Sequence, residues 1–187
     1  MFARHRGIGW LQTGIPLLII IFLVAYFLYL KNMSRKQRML KTGLLLSIWC
    51  IIEITQFPMA INNTAWEHIR TAHNFKYNLE AFDAIIIAFK GGYRLSIAEI
   101  LVNVLMFIPF GISVTLLSYK GKYAFLKVFS YSLLLSVCVE LIQLVTLYYS
   151  LNVRIFDIND IFLNTLGGVL GYIVVKLILR VRKEFNR

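Results

Sequence analysis

The chain has 187 residues, 59% of them hydrophobic and 16% charged, against roughly 45–50% and about 25% in an ordinary soluble domain. Its length makes a single domain over 1–187 the expectation, and its apolar residues gather into long runs without an amphipathic period, which excludes a fold solvated by water alone. The formal charge of +11 would suit a nucleic-acid partner in a soluble protein, but here Lys and Arg stand mainly at the ends of the apolar runs, where they specify topology and not a nucleic-acid-binding face.

Five runs, 9–30, 42–61, 94–118, 123–149 and 161–179, are each able to supply the roughly 20 helical residues that cross a hydrocarbon core. Backbone groups in hydrocarbon must bond one another, so the expected fold class is all-α, a polytopic helical membrane protein with about five transmembrane helices. The first run follows Arg4 and Arg6 and lacks a small-residue cleavage pattern, so it reads as a retained span. Lys31, Arg35, Lys36, Arg38 and Lys41 crowd the first connection. Lys120, Lys122 and Lys127 flank the third, and Arg180, Arg182, Lys183 and Arg187 end the chain. Short loops rich in Lys and Arg stay in the cytoplasm. A multi-pass protein of the cell membrane follows, its N-terminus outside and its C-terminus cytoplasmic; Arg4 and Arg6 run against this scheme.

The connection 62–93 is long, with Asn62, Asn63 and Asn74 early and a more apolar stretch, 79–89, too short to span. An interfacial or re-entrant outer segment is expected there, the alternative being a packed lid. Gly91 and Gly92 then turn the chain into the third run. Cys50 and Cys138 lie within apolar runs and read as small buried side chains, not as a disulfide or metal ligands. His5, His68 and His73 share no zinc-type spacing. No metal and no cofactor is called for.

Ionisable groups at membrane depth cost about 2.5–3.5 kcal/mol each on insertion scales, so their placement is informative. Glu53, Glu99 and Glu140 all lie within spans. At about 1.5 Å per residue, Glu53 is roughly 12 Å and Glu140 roughly 13–14 Å from the outer helix ends, and Glu99 about 7–8 Å from Arg94. Amides accompany them: Gln56 and Gln143 stand one turn outward of Glu53 and Glu140, and Asn103 one turn inward of Glu99. In the last run Asp157, Asp160 and Asn164 share a face if the helix begins early, and Arg154 extends that row. Arg154 has the fork for a bidentate pair with Asp157 or Asp160, or for a phosphate or carboxylate at the surface. Glu53-x-x-Gln56 and Glu140-x-x-Gln143 repeat one spacing, too little to establish an internal repeat. For Glu53 and Gln56, helix-to-helix glue is the simpler role. Asn103, Glu140, Gln143, Arg154, Asp157, Asp160 and Asn164 exceed what glue requires, and an outward polar cavity for a ligand is the sharper reading. Pro109 and Gly111 predict a kink with room for a neighbouring backbone, and Gly167, Gly168 and Gly171 a close-packing strip.

These residues resemble the VanZ-like family. Asn78-Leu79 followed by Phe82 resembles its short Asn-Leu-x-Pro-Phe segment, with Ala81 in place of the proline. Asn103 to Gly111, reading N-V-L-M-F-I-P-F-G, is similar to its strongest motif, Glu140-x-x-Gln143 to its Glu-x-x-Gln, and Arg154 to Gly168 to its closing motif. The likeness covers roughly 78–172; the first two runs carry no motif of it. It implies a polytopic cell-membrane protein of a kind whose best-known member lowers susceptibility to teicoplanin, and it supplies no established reaction or catalytic residue. Glycopeptide resistance of this kind is distinct from remodelling the peptidoglycan precursor.

Three classes of function remain open. One is a binding or transport-like factor for membrane lipids, a lipid-linked envelope precursor or a lipoglycopeptide, with Asn103, Glu140, Gln143, Arg154, Asp157, Asp160 and Asn164 as ligand-binding candidates and Glu99 and Asn78 as secondary ones. Another is an intramembrane enzyme on an envelope lipid, with Glu140, Asp157 or Asp160 as general base and Arg154 holding a phosphate. The third is a structural or assembly role. The first is favoured over an enzyme, and the absence of a Ser or Cys nucleophile paired with His disfavours acyl transfer through a covalent intermediate. The oligomeric state is left open.

Overall fold

The computed structural model describes residues 10–72, 77–80, 82, 86, 94–119 and 121–185. Among the described residues the helices in chain order are α1 (Ile15–Ala25), α2 (Arg35–Gln56), α3 (Asn63–Ala72), α4 (Arg94–Ser118), α5 (Ala124–Tyr148) and α6 (Ile158–Phe185). The π-helical turn Tyr26–Leu30 extends α1. Two short strand pairs gather at one end: β1 (Trp10–Leu11) runs antiparallel to β2 (Met59–Ala60), and β3 (Tyr77–Asn78) parallel to β4 (Phe156–Asp157). The opposite, basic end carries Lys31, Lys122 and the tail of α6 with Arg180, Arg182 and Lys183.

Among the described residues, four helices are long and apolar enough to cross a membrane: Arg35–Gln56, Ile97–Ser118, Ala124–Tyr148 and Ile158–Phe185. Of the five expected spans, the first is represented by the shorter apolar helix Ile15–Leu30, about 24 Å long at 1.5 Å per residue against a core of about 30 Å. The second begins earlier than expected because Ser34 caps it, accepting from Gln37 N at 3.4 Å. It stops at Gln56 because Phe57 precedes Pro58, a position that disfavours helical backbone.

Apolar side chains fill both the interior and the outer surface. Ile51, Met106, Phe107, Phe110, Val114, Val128 and Val139 form the core between α2, α4 and α5. Leu17, Ile20, Leu105, Leu134, Ile142, Leu177 and Ile178 face outward, as hydrocarbon solvent permits. Cys50 and Cys138 are free and exposed, which corrects the reading of both as buried: with apolar residues on every face, an apolar neighbourhood in sequence does not mark the inside.

The principal helix contact is α4 against α6, and glycines make it possible. A Cβ on Gly167 would overlap Val104 O, one on Gly111 would overlap Gly168 O, and one on Gly171 would stand 2.8 Å from Ile112 N. Pro109 lies inside α4 without interrupting it, and Ser113 Oγ donates to Pro109 O at 2.8 Å. Over the strand-bearing end, α3 buries Ala65 and Ile69 against Ala60, with Trp10, Trp66 and Val153 around them. This is the packed-lid arrangement for the first part of the long connection. The expected interfacial stretch 79–89, like Arg4, His5, Arg6, His73, Asn74, Gly91, Gly92, Lys120 and Arg187, lies wholly or mostly outside the described residues.

Candidate functional site

Helices α5 and α6 run antiparallel, with Asn164 facing Ser136 and Gly168 facing Ser132. That register brings Glu140 to the start of α6. Glu140 is 1% exposed, and its Oε2 accepts from Asp157 N at 2.9 Å. Gln143, its amide turned with Nε2 toward the carboxyl, donates to both Glu140 oxygens at 3.0 and 3.2 Å. Satisfying a buried carboxyl in this way is what makes its burial tolerable.

Asn103 on α4 donates through Nδ2 to Asp160 Oδ1, so the strongest sequence motif meets the closing motif across the glycine-packed α4–α6 seam. Helix α6 begins at Ile158, leaving Asp157 just before the helix and off the face carrying Asp160 and Asn164. Asp157 instead accepts from Asn78 Nδ2 at 3.1 Å, and from Asn159 N and Nδ2 at 2.8 Å each. Asn164 donates to Ser136 Oγ at 3.0 Å, one turn inward of Glu140. Asn103, Glu140, Gln143 and Asn164 are buried, Asp157 and Asp160 half-buried, and Glu99 is exposed one turn before Asn103.

Arg154 comes from the segment joining α5 to α6. Its Nη2 donates to Ile54 O at 3.0 Å, near the end of α2. Burial pushes its guanidinium below the ordinary value against the opposing pull of Asp160, Glu99 and Glu140, in that order. Of the two aspartates considered as partners, Asp160 is thus the one whose charge it answers.

Glu53 belongs elsewhere. Its carboxylate accepts from Thr13 Oγ1 and, at 3.0 Å, from Gly14 N, holding the start of α1 against α2. Glu140 does the same for the residue preceding α6. In both cases the deep Glu secures the entry of another helix, the glue role expected of Glu53.

Two asparagines complete the arrangement without having been singled out by spacing. Asn152, 2% exposed, donates to Gln56 O at 2.9 Å and Thr55 O at 3.4 Å, satisfying carbonyls that α2 leaves open at its C-terminus. Asn159 accepts from Phe82 N and donates to Glu80 O at 3.0 Å. With β3–β4 pairing and the Phe82–Phe162 stack at 5.3 Å, it ties the strap 77–82 across the mouth of the cluster. Asn159 is legible only as the residue between Asp157 and Asp160, because helical-face counting discards it. Asn159→Ala should orphan Phe82 N and Glu80 O at about 1–3 kcal/mol, with Phe82 already at a positive φ of 68°. Chymotryptic cleavage at Tyr77 or Phe82 should accelerate several-fold; an unchanged rate would mean that the strap is held by other contacts.

With this geometry in place, comparison with known proteins is informative. A family described as VanZ/LLP1 matches residues 45–179, well over half of the chain. The chain belongs to the VanZ/LLP1 family. Protein VanZ of Enterococcus faecium is 32% identical over 97 residues, covering 52% of this chain and 53% of that protein; the chain thus spans about half the length of this curated relative. No solved structure matches. The VanZ/LLP1 match takes in every residue of the Glu140–Asp160 cluster and of the strap, and it bears out the family resemblance read from the motifs.

Proposed function

We propose that this VanZ/LLP1 protein acts in glycopeptide resistance of the teicoplanin type by binding an envelope lipid or a lipid-bearing ligand at the strand-bearing end of the bundle, in the outer leaflet. The observation that carries this reading is the convergence of Asn103, Glu140, Gln143, Arg154 and Asp160 from three helices and a loop onto one buried polar cluster. A lone carboxyl such as Glu53 suffices to secure a helix entry; several carboxyls with one guanidinium cost desolvation beyond what holding helices together requires. An apolar groove lined by Leu144, Val145, Tyr148 and Tyr149 at the same end of α5 offers a surface for an acyl chain. The enzymatic alternative is less favoured, since both oxygens of Asp157 and both of Glu140 already accept N–H groups.

Mass spectrometry of lipids retained by the purified chain tests the proposal. About one envelope lipid per chain, lost in Asn103→Leu, is expected. Bulk lipid in variable amounts, unchanged by the substitution, would overturn it. Chemical conversion of the retained lipid would move the reading to an enzyme.

The orientation belongs to the same proposal. Lys31, Arg35, Lys36 and Arg38 stand at the end that also carries Lys122, Arg180, Arg182 and Lys183, and such an end stays in the cytoplasm. A reporter fused to the C-terminus should read as cytoplasmic. A translocated reporter would move the cluster to the inner leaflet.

A further inference from the structure

Around the strand-bearing end five amides each commit an N–H: Asn103 Nδ2 donates to Asp160, Asn78 Nδ2 and Asn159 Nδ2 to Asp157, Asn152 Nδ2 to Gln56 O and Asn164 Nδ2 to Ser136 Oγ. The buried group left unmet beside the carboxyls is an acceptor. Asn164 Oδ1 has no partner although the residue is only 1% exposed. It lies one turn inward of Asp160 on the same face of α6, opposite the Ser136 that lies one turn inward of Glu140, so it forms the floor beneath the two carboxyls. Asp160 engages Oδ1, through Asn103.

The charges point the same way. Arg154 is committed to Ile54 O, and its guanidinium answers Asp160, Glu99 and Glu140. An arriving phosphate would meet this acidic wall before it met an uncommitted cation, and like charges at close range in a poorly solvated place repel strongly. A group that carries positive charge and several N–H donors, and no acceptor, matches both the charge and the unfilled lone pairs. Ammonium is that group.

We propose that the site binds the primary ammonium group of an amphiphile, on the carboxyls of Glu140 and Asp160 and the amide oxygen of Asn164. This rests on the reading of the strand-bearing end as a ligand site. The ammonium has two sources, the headgroup of a resident lipid or the amine of an arriving amphiphilic molecule, and both present the same N–H donors.

The test uses the full chain in phosphatidylcholine nanodiscs, with binding of dodecylammonium, dodecyltrimethylammonium and dodecyl phosphate followed calorimetrically. Saturable binding of dodecylammonium at one per chain is expected, at least tenfold tighter than the other two probes. Asp160→Asn should weaken it at least tenfold, whereas Glu67→Gln on α3 should not. The trimethylated probe keeps the charge without N–H donors, so the comparison holds even if Asp160→Asn fails to fold. Phosphatidylethanolamine placed in the disc should compete if the source is a resident headgroup and should not if it is an arriving amine, and either result supports the ammonium. Tighter binding of dodecyl phosphate, lost in Arg154→Gln, would leave the ligand site standing and overturn the ammonium. No saturable binding of any probe would overturn both.

Discussion

Gly167→Ala is expected to prevent stable assembly of the helix bundle, while Gly43→Ala leaves the chain at least as stable as its parent. A Cβ on Gly167 overlaps Val104 O and stands 3.0 Å from the Cβ of Phe107. The obstacle is the backbone of α4, which cannot rotate away as a flexible side-chain end would. Overpacking ordinarily costs about 1–3 kcal/mol; here relief requires separating α4 from α6, their most extensive contact, so a loss above about 3 kcal/mol is expected. Gly111→Ala should behave similarly, because its Cβ meets Gly168 O. Gly43 is the control: the nearest atom to its Cβ is Ser113 Oγ at 3.7 Å, and Ala gains up to about 1 kcal/mol of helix propensity over Gly. Thermal unfolding in detergent, with yield of monodisperse protein, measures both. Equal stability of Gly167→Ala and Gly43→Ala would show that the α4–α6 seam is looser than described.

For Glu140 the decisive contrast is between two substitutions, Glu140→Leu losing about 3 kcal/mol or more and Glu140→Gln keeping the fold. Glu140→Leu leaves Asp157 N without its partner in a place that excludes water, at about 1–3 kcal/mol, and takes both carboxyl oxygens from the Gln143 amide, which is left with Thr55 O at 3.4 Å. Glu140→Gln retains an oxygen for Asp157 N at the position now 2.9 Å away, and its amide can pair with that of Gln143. The glutamine variant therefore removes the carboxyl while keeping the scaffold. Arg154→Lys is the companion, since an ammonium cannot reproduce both the bond to Ile54 O and the spread of charge toward Asp160, Glu99 and Glu140. Thermal unfolding and glycopeptide susceptibility are measured on the same variants. A stable Glu140→Gln with altered susceptibility is expected. Parental behaviour of Glu140→Gln, Glu140→Leu and Arg154→Lys alike would show that the cluster neither stabilises the chain nor acts in resistance.

The amino-acid sequence by itself determined the solvent of this protein and the depth of its polar groups. Runs of apolar residues dictate helices in hydrocarbon, and a residue's distance along a helix places Glu140 and Asn103 at one level without any knowledge of packing. The glycines at 111, 167 and 171 were likewise legible, because only close backbone approach gives a missing side chain a use. Tertiary structure decided which way each helix turns. In a soluble helix the polar face marks the outside, but a span is apolar all round, so neither the outward position of Cys50 and Cys138 nor the peripheral place of α1, which buries none of its residues in Ile15–Ala25, could be read. Partner choice followed from that rotation. Asn164 reaches Ser136 and not Glu140, Glu53 secures α1, and Asp157 turns to Asn78 and Asn159 because α6 starts one residue after it. Hydrogen-bond partners at equal depth are chosen within a few ångströms by helix register and azimuth, and those are set by the glycine-lined contact of α4 with α6, which exists only when both helices are in place.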